Sequence, residues 1–257
     1  MSQSDATTRD GLKASHTPAA IRTRLRRGPE HSYLKDFIYG AIDGAVTTFA
    51  VVAGVAGAAL PAAIVIVLGL ANLIADGFSM AVSNYLGTRA EDQFAARVRR
   101  SEERHIRVIP EGEREEIRQI FAAKGFTGDD LERAVDIITA DVDRWVDTML
   151  QEEWGLSLAG PSAVKAAAAT FSAFVVVGFL PLLPFALNAL FENLLVHPFG
   201  WSVVLTGVAF FVVGAAKSAY VDRRWLRSGL ETLLVGGAAA SLAFLIGRAL
   251  RDLAVGG

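Results

Sequence analysis

Five apolar stretches punctuate this chain of 257 residues, at 37–60, 62–86, 164–190, 201–220 and 229–250. Each approaches the about 20 residues that a helix needs to cross hydrocarbon. Pro181 and Pro184 fall inside the third, which predicts a bend or an early exit at its end. Residues 87–163 are polar by contrast. No turn signal separates the second stretch from 90–107, so one long helix is expected to leave the bilayer there, broken by Pro110 and Gly112. Residues 113–124 read as a second helix closed by Gly125. Residues 129–153 read as a third closed by Gly155, with Thr127, Asp129 and Asp130 as candidate caps. Ile117, Ile120 and Phe121 on one, with Leu131, Val135, Ile138, Val142 and Val146 on the other, recur at helical spacing and predict a small core.

The pattern defines an all-α, polytopic membrane protein with five transmembrane helices and a three-helix insertion. The expected parts are a basic arm (1–34), helices one and two (35–86), the insertion (87–163) and helices three to five (164–257).

Charge refines this layout. The chain is 52% hydrophobic and 20% charged, with a net charge of −2. Seven Lys or Arg precede residue 37, and Lys217, Arg223, Arg224 and Arg227 follow the fourth stretch, whereas the connections near 60–62 and 191–200 carry none. Because loops rich in Lys and Arg stay on the cytoplasmic side, the N-terminus and the insertion are expected inside and the C-terminus outside. The insertion holds 17 of the 27 acidic residues. The first 30 residues lack the apolar core of a secretory signal, and Asp5, Asp10 and Glu30 argue against a transit peptide, leaving a flexible basic arm. That arm has no interleaved aromatics, so nucleic acid is not an expected partner.

Two apolar stretches contain acids. Asp43 lies about two turns inside the first, and Asp76 lies within the second. A charge at a helix centre costs about 2.5–3.5 kcal/mol even on insertion scales, and persists where it lines a path or meets a partner. Asp36 shares the face of Asp43 but lies near the surface, where a charge is ordinary. Gly40 and Gly44 beside Asp43 allow close approach of another helix. Asn72, Asp76 and Met80 follow at steps of four, so one face offers an amide, a carboxylate and a thioether. Asp76 can also be satisfied locally by Gly77 and Ser79.

The chain has no cysteine, which leaves oxygen, nitrogen and thioether donors for any metal. In the insertion these come in helical pairs: Glu102 with His105, Glu113 with Glu116, Met149 with Glu153. Such pairs on several helices can surround a small ion cluster; they can equally form a solvated acidic surface, with Glu103, Glu115 and Glu152 turned outward. Glu102-x-x-His105 also fits half of a carboxylate-bridged di-iron site. His16, His31 and His197 lack a glutamate three residues before them, so the second half is missing. No nucleophile elbow, phosphate loop or zinc-peptidase motif occurs, and an enzyme is not expected.

The segment from Asp43-Gly-Ala-Val-Thr-Thr-Phe through Val51-Val-Ala-Gly, then Gly69-Leu-Ala-Asn-Leu-Ile-Ala-Asp-Gly-Phe-Ser-Met80 and Tyr85-Leu-Gly-Thr-Arg-Ala-Glu91, resembles the vacuolar iron transporter family. The last three apolar stretches match it mainly in hydropathy. The resemblance implies a homodimer that moves Fe2+, and Mn2+ with it, out of the cytosol in exchange for protons. It implies an intramembrane path at Asp43 and Met80, and a cytoplasmic cluster of Glu102, Glu113, Glu116, Met149 and Glu153. His105 stands where a further glutamate is expected, and Leu150 follows Met149 where a second methionine can occur. No prosthetic group is implied, since the ion is cargo, and the setting expected is a bacterial inner membrane. A membrane-anchored metal sensor or buffer without transport is the alternative. Glu192, near the end of the third stretch, reads as an interface charge or an exit residue.

Overall fold

The computed structural model describes residues 9–27, 31–191, 194–221 and 224–251. Asp5, Glu30, Glu192 and Arg223, named above, lie outside them. The regular structure among the described residues is all helical, with no strand. In chain order the helices are α1 (Arg9–Ser15), α2 (Pro18–Arg27), α3 (Leu34–Gly57), α4 (Ala62–Val108), α5 (Pro110–Ala123), α6 (Gly128–Thr139), α7 (Val142–Glu152), α8 (Ala163–Gly178), α9 (Leu183–Leu190), α10 (Pro198–Val221) and α11 (Trp225–Ala249).

Four of these, α3, α4, α10 and α11, are long and apolar enough to cross a membrane. The pair α8 and α9 makes a fifth span bent by 61°. The chain is an integral membrane protein. The bend falls at the prolines, and Ser202 of α10 donates a 2.6 Å hydrogen bond to the Pro181 carbonyl, satisfying an acceptor that the broken helix leaves free.

The chain divides into two compact units, residues 32–89 with 162–257, and residues 1–31 with 90–161. Helix α4 contributes to both.

In the first unit α3 is the central element, packed closely on α8, α11 and α10. Glycine permits the approach. A Cβ on Gly44 would lie 2.9 Å from the Phe174 Cα, and one on Gly40 would strike the Thr170 carbonyl of the same helix α8. Gly247 of α11 meets the backbone of Gly54 in the same way. The apolar core between them includes Val52, Phe49, Leu73, Phe174 and Leu182.

In the second unit the end of α4 joins α5, α6 and α7 around Val98, Ile106, Ile117, Val135, Trp145, Val146, Met149 and Leu150. Pro110 takes the first turn of α5, where its missing N–H is harmless. The expected single helix over 129–153 is two helices. Asp141 breaks it by accepting a 2.9 Å bond from the Arg144 N–H as the N-cap of α7, while Thr127 caps α6 without a side-chain bond. Val142, expected in the core, is exposed because the break places it at the start of α7. The arm is also more ordered than expected. Over residues 9–27 it forms α1 and α2, and Thr17 receives the Ala20 N–H at 3.3 Å.

Candidate metal centre and membrane cavity

The second unit brings three of the predicted ligands together. Glu102, His105 and Glu113 each offer an atom within 4.8 Å of the others. His105 Nδ1 lies 3.7 Å from Glu102 Oε2 and 3.5 Å from Glu113 Oε1. Both carboxylates are 2% exposed in a bundle core, whereas His105 keeps 46% of its side chain in solvent. The Trp154 indole donates to Glu102 Oε1 at 3.2 Å. It follows the end of α7 just before Gly155, whose φ of +63° turns the chain where a side chain would be strained. Glu113 Oε2 is buried without a partner among the described residues.

Burying two acids side by side is costly unless something compensates. The nearby lysines and arginines do not. Arg99 pairs with Asp147 and Asp143, Arg114 with Asp136, Arg118 with Glu115 and Glu132, Lys124 with Glu152, and Arg133 with Asp130. Among the described residues, the Lys and Arg ion pairs all bypass Glu102 and Glu113. Burial, followed by repulsion from Glu116, Glu102 and Glu153, therefore raises the Glu113 carboxyl to about 7. Burial and the charges of Glu102 and Glu116 raise Glu153 as well. Glu116 and Glu153 are thus electrostatic neighbours of the buried pair, though exposed. Met149 is fully buried in the apolar core. An orphaned carboxylate oxygen, uncompensated negative charge and an imidazole edge together suit a divalent cation.

In the first unit Asp43 and Met80 line one cavity of about 610 Å³, with Lys35, Ile38, Tyr39, Ile42, Val46 and Lys217. Both are half-buried. Asn72, a further member of the predicted polar face, donates to Thr47 Oγ1 at 3.3 Å. Asp76 is exposed and has no hydrogen bond among the described residues, so the local satisfaction by Gly77 and Ser79 is not realised. The sequence reading missed three polar participants here. Asn84 donates to the Asp36 carboxylate at 2.8 Å and to Thr170 Oγ1 at 2.7 Å. Asn84 lies four residues beyond Met80, so continuing the polar face by one turn finds it. Thr170 and Lys217 come from distant helices and leave no local signal.

The described residues thus combine candidate membrane spans around a cavity reached by Asp43 and Met80 with a helical bundle that buries two neighbouring carboxylates. The comparisons make the class of membrane protein specific. Residues 34–248 match the sequence profile of the VIT family. Vacuolar iron transporter 1 of Arabidopsis thaliana is 32% identical over 216 residues, covering 84% of this chain and 85% of that protein. Vacuolar iron transporter 1 of Eucalyptus grandis is 31% identical over 221 residues, 85% of this chain and 87% of that protein. The vacuolar iron transporter of Toxoplasma gondii (strain ATCC 50861 / VEG) is 32% identical over 234 residues, 87% of this chain and 76% of that protein. The chain belongs to the VIT family.

Proposed function

We propose that this protein transports Fe2+, and Mn2+ with it, across a membrane and out of the cytoplasm in exchange for protons. The observation that carries the reading is the cavity shared by Asp43 and Met80. A carboxylate and a thioether facing one intramembrane space give a transition-metal ion a partner where hydrocarbon offers none. The names of the relatives support iron as the cargo. The relatives reported are eukaryotic, so they lend nothing to the bacterial inner membrane expected from the sequence.

In this account Glu102, His105 and Glu113, with Glu116 and Glu153 adding charge, gather cations on the cytoplasmic side. Asp43, Met80 and Asn72 carry them through the membrane unit. Protons and metal compete for the same ionised carboxylates, which is a means of coupling their movements. The chemistry is binding and release, with no bond made or broken, which fits a transporter and not an enzyme. Asp76, on the face of Asn72 and Met80, adds a further exposed carboxylate to this path, while the apolar Val67, Leu70, Ile74 and Phe78 are exposed on the opposite side of α4, where a second copy of the chain would cover them in a homodimer. A membrane-anchored sensor would leave the Asp43 cavity without a use.

Reconstitution into liposomes tests the reading. Iron(II) flux that accelerates under an opposing proton gradient is the expected result. Metal binding without flux would establish a sensor or buffer instead.

A further inference from the structure

Asp36 lies near the expected membrane surface, where a charge is ordinary. Its surroundings say more. Its carboxylate accepts from the Asn84 amide at 2.8 Å, and the same amide donates to Thr170 Oγ1 at 2.7 Å. Thr170 in turn donates to the Asp36 carbonyl at 3.3 Å. Three helices, α3, α4 and α8, therefore meet in one polar knot, and the Thr170 side chain within it is buried.

The knot borders space. A cavity of about 420 Å³ is lined by Lys35, Asp36, Tyr39, Met80, Ser83, Asn84 and Thr170. Lys35, Tyr39 and Met80 also line the cavity of Asp43. The two spaces therefore share a wall that includes the Met80 side chain.

The spacing follows from helix geometry. Asp36 and Asp43 are seven residues apart on α3, two turns or about 10 Å along the axis. Met80 and Asn84 are one turn apart on α4. Asp36 meets Asn84, Asp43 shares a cavity with Met80, and Thr47 meets Asn72. Numbers rise along α3 as they fall along α4, so polar groups face one another at successive levels of a single antiparallel seam. The cavities of about 610 and 420 Å³ along this seam leave room for an ion.

We propose that Asp36, Asn84 and Met80 form a second cation station, one level before Asp43 on the same seam, and that Met80 is shared between the two. Asp36 supplies the charge. Asn84 Oδ1 and the Ser83 hydroxyl supply neutral oxygens, since the Asn84 N–H groups are committed to Asp36 and Thr170. The Met80 sulfur hands the ion from one carboxylate to the next, which replaces one step of about 10 Å by two shorter ones. The class of ion is a divalent transition metal, because a thioether contributes little to magnesium or calcium. This inference rests on the transport reading above.

The competing explanation is that Asn84 merely staples three helices. Asp36→Asn separates the two, because an amide oxygen still accepts from Asn84 while the charge is gone. In liposomes containing the full chain, iron(II) uptake at sub-saturating metal is expected to fall at least tenfold in Asp36→Asn. The melting temperature should stay at the wild-type value, and Asp36→Glu should recover part of the rate. Wild-type uptake by Asp36→Asn overturns the proposal, as does a loss of uptake that tracks a lowered melting temperature. If the wild-type protein binds iron but moves none, the transport reading itself fails and takes this station with it.

Discussion

Asp43 and Met80, 37 positions apart in the chain, face one cavity in the membrane unit. Neither residue alone distinguishes a path from a flaw in packing. Together they place a hard and a soft donor around one space between two spans, a donor set that suits the transition-metal cargo proposed above.

The buried pair Glu102–Glu113 makes metal binding depend on pH. Glu113 ionises at about 7, well above the ordinary 4.5. Metal needs the ionised form, so affinity is expected to rise as pH passes upward through 7 and to weaken below it. The stability of the metal-free bundle runs the other way. A raised pKa means that the folded state holds its proton between 4.5 and about 7 while the unfolded state has lost it, so this group's contribution falls as pH climbs through that window. The shift in melting temperature produced by Mn2+ should therefore be larger at pH 8 than at pH 6, and Glu113→Gln should flatten the difference. An equal shift at both values contradicts this.

His105 gives the cluster a nitrogen donor. Ser101 Oγ lies 3.4 Å from Nε2, and Nδ1 lies within 3.7 Å of both buried glutamates. With a metal bound, the tautomer with its proton on Nε2, beside Ser101, would turn the Nδ1 lone pair toward the ion. Imidazole favours zinc-like ions over manganese more than a carboxylate does. His105→Glu is expected to lower the preference for Zn2+ over Mn2+ by about tenfold, read by competition with a coloured chelator on the purified full chain. An unchanged ratio would remove His105 from the metal's coordination.

Gly44 sets the distance between α3 and α8. Gly44→Val places methyl groups against the Phe174 backbone, where even a Cβ sits at 2.9 Å, and should cost about 1–3 kcal/mol or more. Gly237→Ala is the control, since an added Cβ there meets nothing within 4 Å. Thermal unfolding in detergent should show a clear drop for the first and none for the second.

Hydropathy made the spans legible, because about 20 apolar residues in a row have few alternatives. The long α4 was legible for a related reason: nothing between 86 and 107 offers the chain a turn. The break at Asp141 was harder to foresee. An aspartate inside a helical pattern either faces solvent or caps a new helix, and only the bond from the Arg144 N–H decides between them. Residue spacing paired Glu102 with His105 on one helix, yet Glu113 reaches them from α5 through tertiary packing. Trp154 and Thr170 were invisible as partners because each acts across more than 50 residues of sequence. Met149 illustrates the converse. Helical spacing put it near Glu153, and the bundle buries it as core.

Asp43 is the central residue of the proposed path, and its role is tested most directly by iron(II) entry into liposomes carrying the wild-type protein or Asp43→Ala, each checked for intact folding. The expected result is rapid entry with the wild-type chain and a rate no higher than that of protein-free liposomes with Asp43→Ala. Entry at the wild-type rate without the Asp43 carboxylate would contradict the proposed path.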